Sequence, residues 1–286
     1  MRELGTWSDL FHVFKQALAD WSADRAPRLG AALAYYTVFS IAPLLVIVIA
    51  VAGLALGRQA AQGTVVDQIQ SFVGPETARG IQSLLENARK PATGAAATLM
   101  GLASLLLGAT GVVSELQSSL DLIWRVEAPR RGLKAVLKDR LLAFACVLSM
   151  GFVLLVSLVI SAAVAAMGKF FSVFLPSPEW VLQLLNFGAS FAVTAGLFAL
   201  IYKLLPHTRV AWRDVWFGAC LTSLLFSLGK SLLGLYLGKS TVSAYGAAGS
   251  LVLILLWAYY SAQILYFGAE FTHVFAHRHG SRSHVR

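Results

Sequence analysis

Glu270, His273 and His277 fall at i, i+3 and i+7, a spacing that sets one carboxylate and two imidazoles on a single helix face. Lys230 stands alone inside another apolar run, between Gly229 and Ser231. Two kinds of chemistry follow from residues of these types. Three such ligands at helical spacing could hold a transition metal. Alternatively, ionisable groups within membrane-length apolar helices mark a polar path or cavity, because charge is expensive there and faces the bundle interior. The metal reading is the weaker, since a carboxylate followed by histidines in a basic tail arises readily by chance. Hydrolytic metal chemistry would also need further carboxylates or histidines at water-accessible positions. No serine has a base in sequence context and no Gly-rich phosphate loop occurs. The expectation is therefore a protein that is not an enzyme and holds no metal and no cofactor.

The elements that must carry these residues are set by composition. The chain is 57% hydrophobic and 13% charged over 286 residues, with a mean hydropathy of +0.70. Apolar runs near the roughly 20 residues that cross a hydrocarbon core extend from Gly30 to Leu56, Ala95 to Val113, Leu141 to Met167, Val181 to Leu205, Val215 to Leu237 and Leu251 to Phe271. The expected fold is all-α, a polytopic integral membrane protein with six transmembrane helices plus amphipathic interfacial helices. Charged residues through the first 29 positions leave no uncharged core for a cleavable signal peptide, so the first span itself should direct insertion. With the N-terminus inside, sixteen Lys and Arg fall in cytoplasmic segments and six in external ones. Both termini are then expected in the cytoplasm of a bacterial inner-membrane protein. Basic residues beside anionic headgroups account for the net charge of +9 without any nucleic acid. Cys146 and Cys220 both fall within expected spans, which excludes a disulfide framework.

One membrane domain over 1–286 is expected, with no linker to divide it. Residues 1–29 carry Leu10, Phe14, Ala17, Leu18 and Trp21 on one helical face, suited either to the membrane interface or to packing on the protein itself. Residues 58–90 form an external amphipathic cap, broken at Gly74 and Pro75, whose second half carries Ile81, Leu84, Leu85 and Ala88. Residues 114–140 make a cytoplasmic interfacial helix with Leu116, Leu120, Ile123 and Trp124, and 276–286 are a basic cytoplasmic tail.

Depth along the helices decides which polar groups can meet. Lys230, roughly 22 Å from the cytoplasmic start of its span, belongs to the outer half on a face with Ser223, Ser227, Gly234 and Gly238. Its expected partners are Tyr259, Tyr260 and Gln263, with Gln183 or Asn186; the alternative is a lysine that snorkels to the outer headgroups. Glu270 belongs near the cytoplasmic side, level with Lys203, Tyr35 and Tyr36. A Glu270–Lys203 pair could be a gate or a static strut between two spans.

Several stretches resemble the YihY/BrkB family of bacterial inner-membrane proteins, once labelled ribonuclease BN. They are Ala32 to Leu44, Gly108 to Gly111 with Leu122, Ile123 and Trp124, then Tyr202, Lys203 and Pro206. Gly218, Ala219, Lys230, Ser243, Tyr245, Gly246 and Gly249 follow, and the most specific stretch is Trp257 to Glu270. Asp121 stands where the family pattern suggests Asn. The resemblance implies a six-helix protein of the cytoplasmic membrane with links to envelope and lipid phenotypes, and a transport role. The reading that results is a transporter or lipid-translocating protein for an anionic or amphipathic envelope substrate. Its route would be lined by Lys230, Glu270, Lys203, Tyr35, Tyr36, Tyr259, Tyr260, Gln263, Asn186 and Tyr245. Membrane lipids are the expected partners, with an envelope protein possible. The rival reading is a non-transporting scaffold that anchors such a protein through the 58–90 cap.

Overall fold

The computed structural model describes residues 7–56, 63, 66, 70, 75–88, 111–126, 179–237 and 249–280. The described residues form seven helices and no strand. They are α1 (Trp7–Ala23), α2 (Ala26–Leu56), α3 (Pro75–Ala88), α4 (111–123), α5 (Glu179–Leu204), α6 (Trp212–Leu237) and α7 (Gly249–Arg278). The fold is that of an all-α polytopic membrane protein. Segments of α5 (Phe187–Leu204), α6 (Trp212–Leu232) and α7 (Leu251–Arg278) are each long and apolar enough to cross a bilayer. The 31-residue α2 carries the first expected apolar run. The second and third expected spans lie outside the described residues, apart from 111–113.

Local chemistry sets the helix ends. Pro75 opens α3, where a missing N–H costs nothing because first-turn amides have no helical partner. α4 closes with Val126 N bonded to Asp121 O and Arg125 N to Leu122 O, both at 2.9 Å, the paired bonds of a Schellman cap. That cap puts Arg125 at φ 52, and Arg25, between α1 and α2, sits at φ 53. Glycine usually fills such positions, so each arginine holds its place at a cost of about 1 kcal/mol.

α7 is the centre of the bundle, packing against α1, α2, α3 and α6, while α5 packs on α6. Small residues permit close approach between α6 and α7: a Cβ on Gly218 would overlap Thr272 Oγ1, and one on Gly268 would overlap Thr222 Oγ1. Tyr202 of α5 completes this seam. Its hydroxyl lies 2.8 Å from the Leu265 carbonyl and 2.9 Å from Thr222 Oγ1, so three helices share one satisfied polar knot in an apolar setting.

α1 combines the two environments that its sequence suited. Val13 and Ala17 are fully buried against Phe267, Phe271, Val274 and Phe275 of α7, and Phe14 meets Phe267 edge-on with ring centroids 5.0 Å apart. Leu10, Phe11 and Leu18 remain exposed, as lipid-facing residues of an interfacial helix would be. In α3, Ala78, Ile81 and Leu85 are buried, and the helix packs on α7 and α2.

Candidate functional site

Glu270 is 1% exposed, yet its Oε1 has no hydrogen-bond partner among the described residues. Its carboxyl group is within hydrogen-bonding range of Asp24, with Asp20 and Arg125 close enough to act on its charge. The fold makes this cluster in two steps. Packing of Val13 and Ala17 on α7 lays the end of α1 beside Glu270, and the tight corner at Arg25 holds Asp24 there. The Schellman cap of α4 then turns Arg125 toward the same point. A buried acceptor left without a donor costs about 1–3 kcal/mol. Folding alone has no use for such a group.

Beside the cluster is a cavity of about 610 Å³. Gln16 and Asp20 of α1 form one wall, and Trp124 with Arg125 forms a second. His273, Val274, His277 and Arg278 of α7 complete it. The walls are internally braced. Gln16 Nε2 donates to Asp20 Oδ1 at 3.0 Å, and His277 Nδ1 donates to the His273 carbonyl at 2.9 Å, which directs the other ring nitrogen, Nε2, away from the helix. The His273 ring lies edge-on to Trp124 at 5.2 Å and 4.4 Å from the ring of His277. This cavity presents carboxylate on its α1 side and two guanidinium groups with imidazoles on the other.

A second polar network ties α4 to the turn between α5 and α6. Asp121 Oδ1 accepts from the backbone N–H of His207 at 2.8 Å and Oδ2 meets His207 Nδ1 at 2.7 Å. Gln117 Nε2 donates to the Leu205 carbonyl at 2.9 Å. Burial holds the nearby Glu115 carboxyl above its ordinary value.

The residues singled out from sequence are distributed differently from the expected pairing. Lys203 does not meet Glu270. Its ammonium donates to the Val210 carbonyl and lies 5.5 Å from the centre of the Trp212 ring, because the turn after α5 folds back beneath it. Gln263 does not turn to Lys230 either. Its amide is pressed on Gly30 of α2, where neither its oxygen nor its nitrogen has a hydrogen-bond partner among the described residues. Tyr35 and Tyr36 are exposed, their rings 5.8 Å apart, and Tyr36 reaches Gly111. Since Gly30 is level with Gln263, they lie beyond Gln263 on the side away from Glu270 rather than beside it. Tyr260 places its hydroxyl against Gly229, next to Lys230, whose own side chain is exposed. Ser223 of the expected lysine stripe is instead buried and donates to the Phe191 carbonyl at 3.2 Å. Tyr259 is partly buried. The side chain of Asn186 and all of Tyr245 lie outside the described residues. Among the described residues, no group of three His, Cys, Asp or Glu side chains is placed to hold a metal.

Sequence reasoning missed Asp20, Asp24 and Arg125 as companions of Glu270. Gln16 and Asp20, four apart on α1, were the only local signal, and Arg125 carries none until the cap of α4 is seen.

Long apolar helices knotted by interhelical hydroxyls, around a buried carboxylate, define an integral membrane protein of the helical-bundle class. The family model for virulence factor BrkB matches residues 17–285, and the chain belongs to that family. It is 30% identical over 255 residues to a UPF0761 membrane protein of Halorhodospira halophila, covering 87% of this chain and 54% of that protein. A UPF0761 membrane protein of Pseudomonas aeruginosa is 30% identical over 254 residues, 86% of this chain and 58% of the relative. One from Azotobacter vinelandii is 28% identical over 280 residues, with coverage of 93% and 62%. The chain thus spans a little over half the length of these relatives. Their names record a membrane protein and no activity. No solved structure matches the chain.

Proposed function

We propose that this BrkB-family protein is a transporter or lipid-translocating protein of the bacterial cytoplasmic membrane, acting on an anionic or amphipathic envelope substrate. The observation that carries the reading is Glu270: a carboxyl group 1% exposed, one oxygen unbonded, set against Asp24 and adjoining a polar cavity of about 610 Å³. Intramembrane carboxylates of this kind are retained for transfer of ions, protons or substrates. A cavity of that volume is in the range of ligand sites, roughly 300–1,000 Å³. With both termini inside, the cavity is the cytoplasmic mouth of the route, and Lys230, exposed on α6, is an outer-half countercharge. Lys203, held by Val210 and Trp212, braces the inner turn and takes no part in a gate.

Flux of labelled lipids across proteoliposomes containing the purified protein tests the reading. The wild-type protein accelerates exchange of at least one lipid class, and Lys230→Ala slows it. Absence of flux for every lipid class, with the protein folded, overturns the proposal and favours a scaffold that holds an envelope partner through α3.

A further inference from the structure

The cavity carries both signs of charge, with Asp20 contributed by α1 and Arg125 and Arg278 by its other walls. We infer that it binds the headgroup of a zwitterionic aminophosphate lipid, with phosphate on the arginine side and ammonium on the α1 side. This names the substrate of the route proposed above and rests on that reading.

The charge arrangement selects the ligand class. On one side, Arg125 and Arg278 supply planar guanidinium forks suited to phosphate oxygens, with the imidazole of His277 as a further donor when protonated. On the other, Asp20 supplies a carboxylate from α1, with Asp24 just past the end of the same helix. A ligand with phosphate alone would set its charge against these carboxylates. One with ammonium alone would meet two guanidinium groups. A headgroup with phosphate and ammonium a few bonds apart satisfies both sides at once, and the repulsion suffered by the single-sign ligands supplies specificity.

The surroundings point to a lipid rather than a free metabolite. Asp20 and Gln16 lie on α1, the helix that leaves Leu10, Phe11 and Leu18 exposed, with Phe11 the most so at 66%. Acyl chains can therefore lie along α1 while the headgroup enters the cavity at its end. The volume of about 610 Å³ exceeds what one phosphate needs and leaves room for the glycerol portion.

The test uses the purified full chain in a phosphate-free maltoside detergent, titrated by saturation-transfer NMR with soluble headgroups. Glycerophosphoethanolamine should bind about tenfold more tightly than glycerophosphoglycerol or ethanolamine, a difference of about 1.4 kcal/mol. Asp20→Asn should bring the first two to equal affinity. Arg125→Gln should weaken both glycerophosphates, and Arg278→Gln serves in its place if that variant fails to fold. Equal affinity of the two glycerophosphates for the wild-type protein, or a preference unchanged by Asp20→Asn, overturns the inference. A parallel flux assay compares vesicles enriched in phosphatidylethanolamine with vesicles enriched in phosphatidylglycerol. Flux favouring the former supports a lipid source, and binding of the soluble headgroup without any lipid preference overturns that part. Headgroup preference without flux of any lipid defeats the transport reading and leaves a binding site. Flux without headgroup preference defeats the substrate assignment and leaves transport intact.

Discussion

Asp121 holds His207 by two bonds, one to its backbone N–H at 2.8 Å and one to its ring at 2.7 Å, across 86 residues of sequence. This grip fastens the cap of α4 to the α5–α6 turn, and so fixes where Trp124 and Arg125 stand beside α7. Asp121→Ala should lower stability by about 2 kcal/mol, since it strands the His207 N–H in a half-buried place. Asp121→Asn retains an acceptor for that N–H and should cost well under half as much. Thermal unfolding in detergent measures both.

Glu270→Gln should leave the melting temperature equal to or above that of the wild-type protein, because the amide fills the same place and can donate to Asp24 without ever setting a further carboxylate beside Asp20 and Asp24. Lipid flux should fall at least tenfold. Adding Lys203→Met should restore nothing, as Lys203 is bound to Val210 and Trp212. A large loss of stability in Glu270→Gln, reversed by Lys203→Met, would revive the static strut.

The pH dependence of stability offers a separate check at Glu115. Burial raises its value in the folded protein, so folding is favoured while the group is protonated in both states, below the ordinary value of 4.5. That contribution is lost as pH rises through the raised value. Glu115→Gln should therefore unfold at a higher temperature than wild type at pH 7, with the gain fading as pH falls below about 4.5. A gain constant across pH would assign the effect to something other than this carboxyl.

Gly268→Ala should destabilise by about 1–3 kcal/mol through overpacking. The added methyl group meets Thr222 Oγ1 and, at 2.5 Å, the Tyr202 hydroxyl. Tyr202→Phe removes only the hydroxyl and should cost about 1 kcal/mol. Because both changes act on one contact, their effects should combine by less than the sum; a double mutant that is fully additive would show the knot is not a unit.

What the sequence disclosed follows from how far each signal reaches. Glu270 was legible because one carboxylate in a long apolar run is conspicuous, and its place toward the C-terminal end of that run came from counting residues. The amphipathic face of α3 was equally plain from Ile81, Leu84 and Leu85. Pairing was not legible. Lys203 and Glu270 share a depth, but the turn at 205–211 offers the lysine a closer carbonyl, and such reversals leave no periodic trace. Gln263 and Tyr35 were assigned by depth alone, whereas rotation about the helix axis decides what each touches. The Asp121–His207 bond joins residues whose separation gives no hint of contact.

The two sides of α7 are unequally fastened. Toward α6 and α5 it is keyed by Gly218, Gly268, Tyr202, Thr222 and Thr272, with oxygen atoms locked between backbones. Toward α2, Gln263 lies flat on Gly30 and its amide bonds nothing among the described residues. The first side carries the Tyr202–Leu265 hydrogen bond and threonine side chains seated on glycines; the second carries no hydrogen bond at Gln263 among the described residues. That second face is still closely packed, because a glycine at position 30 lets the amide wedge between α2 and α7, so any side chain there would force the two helices apart.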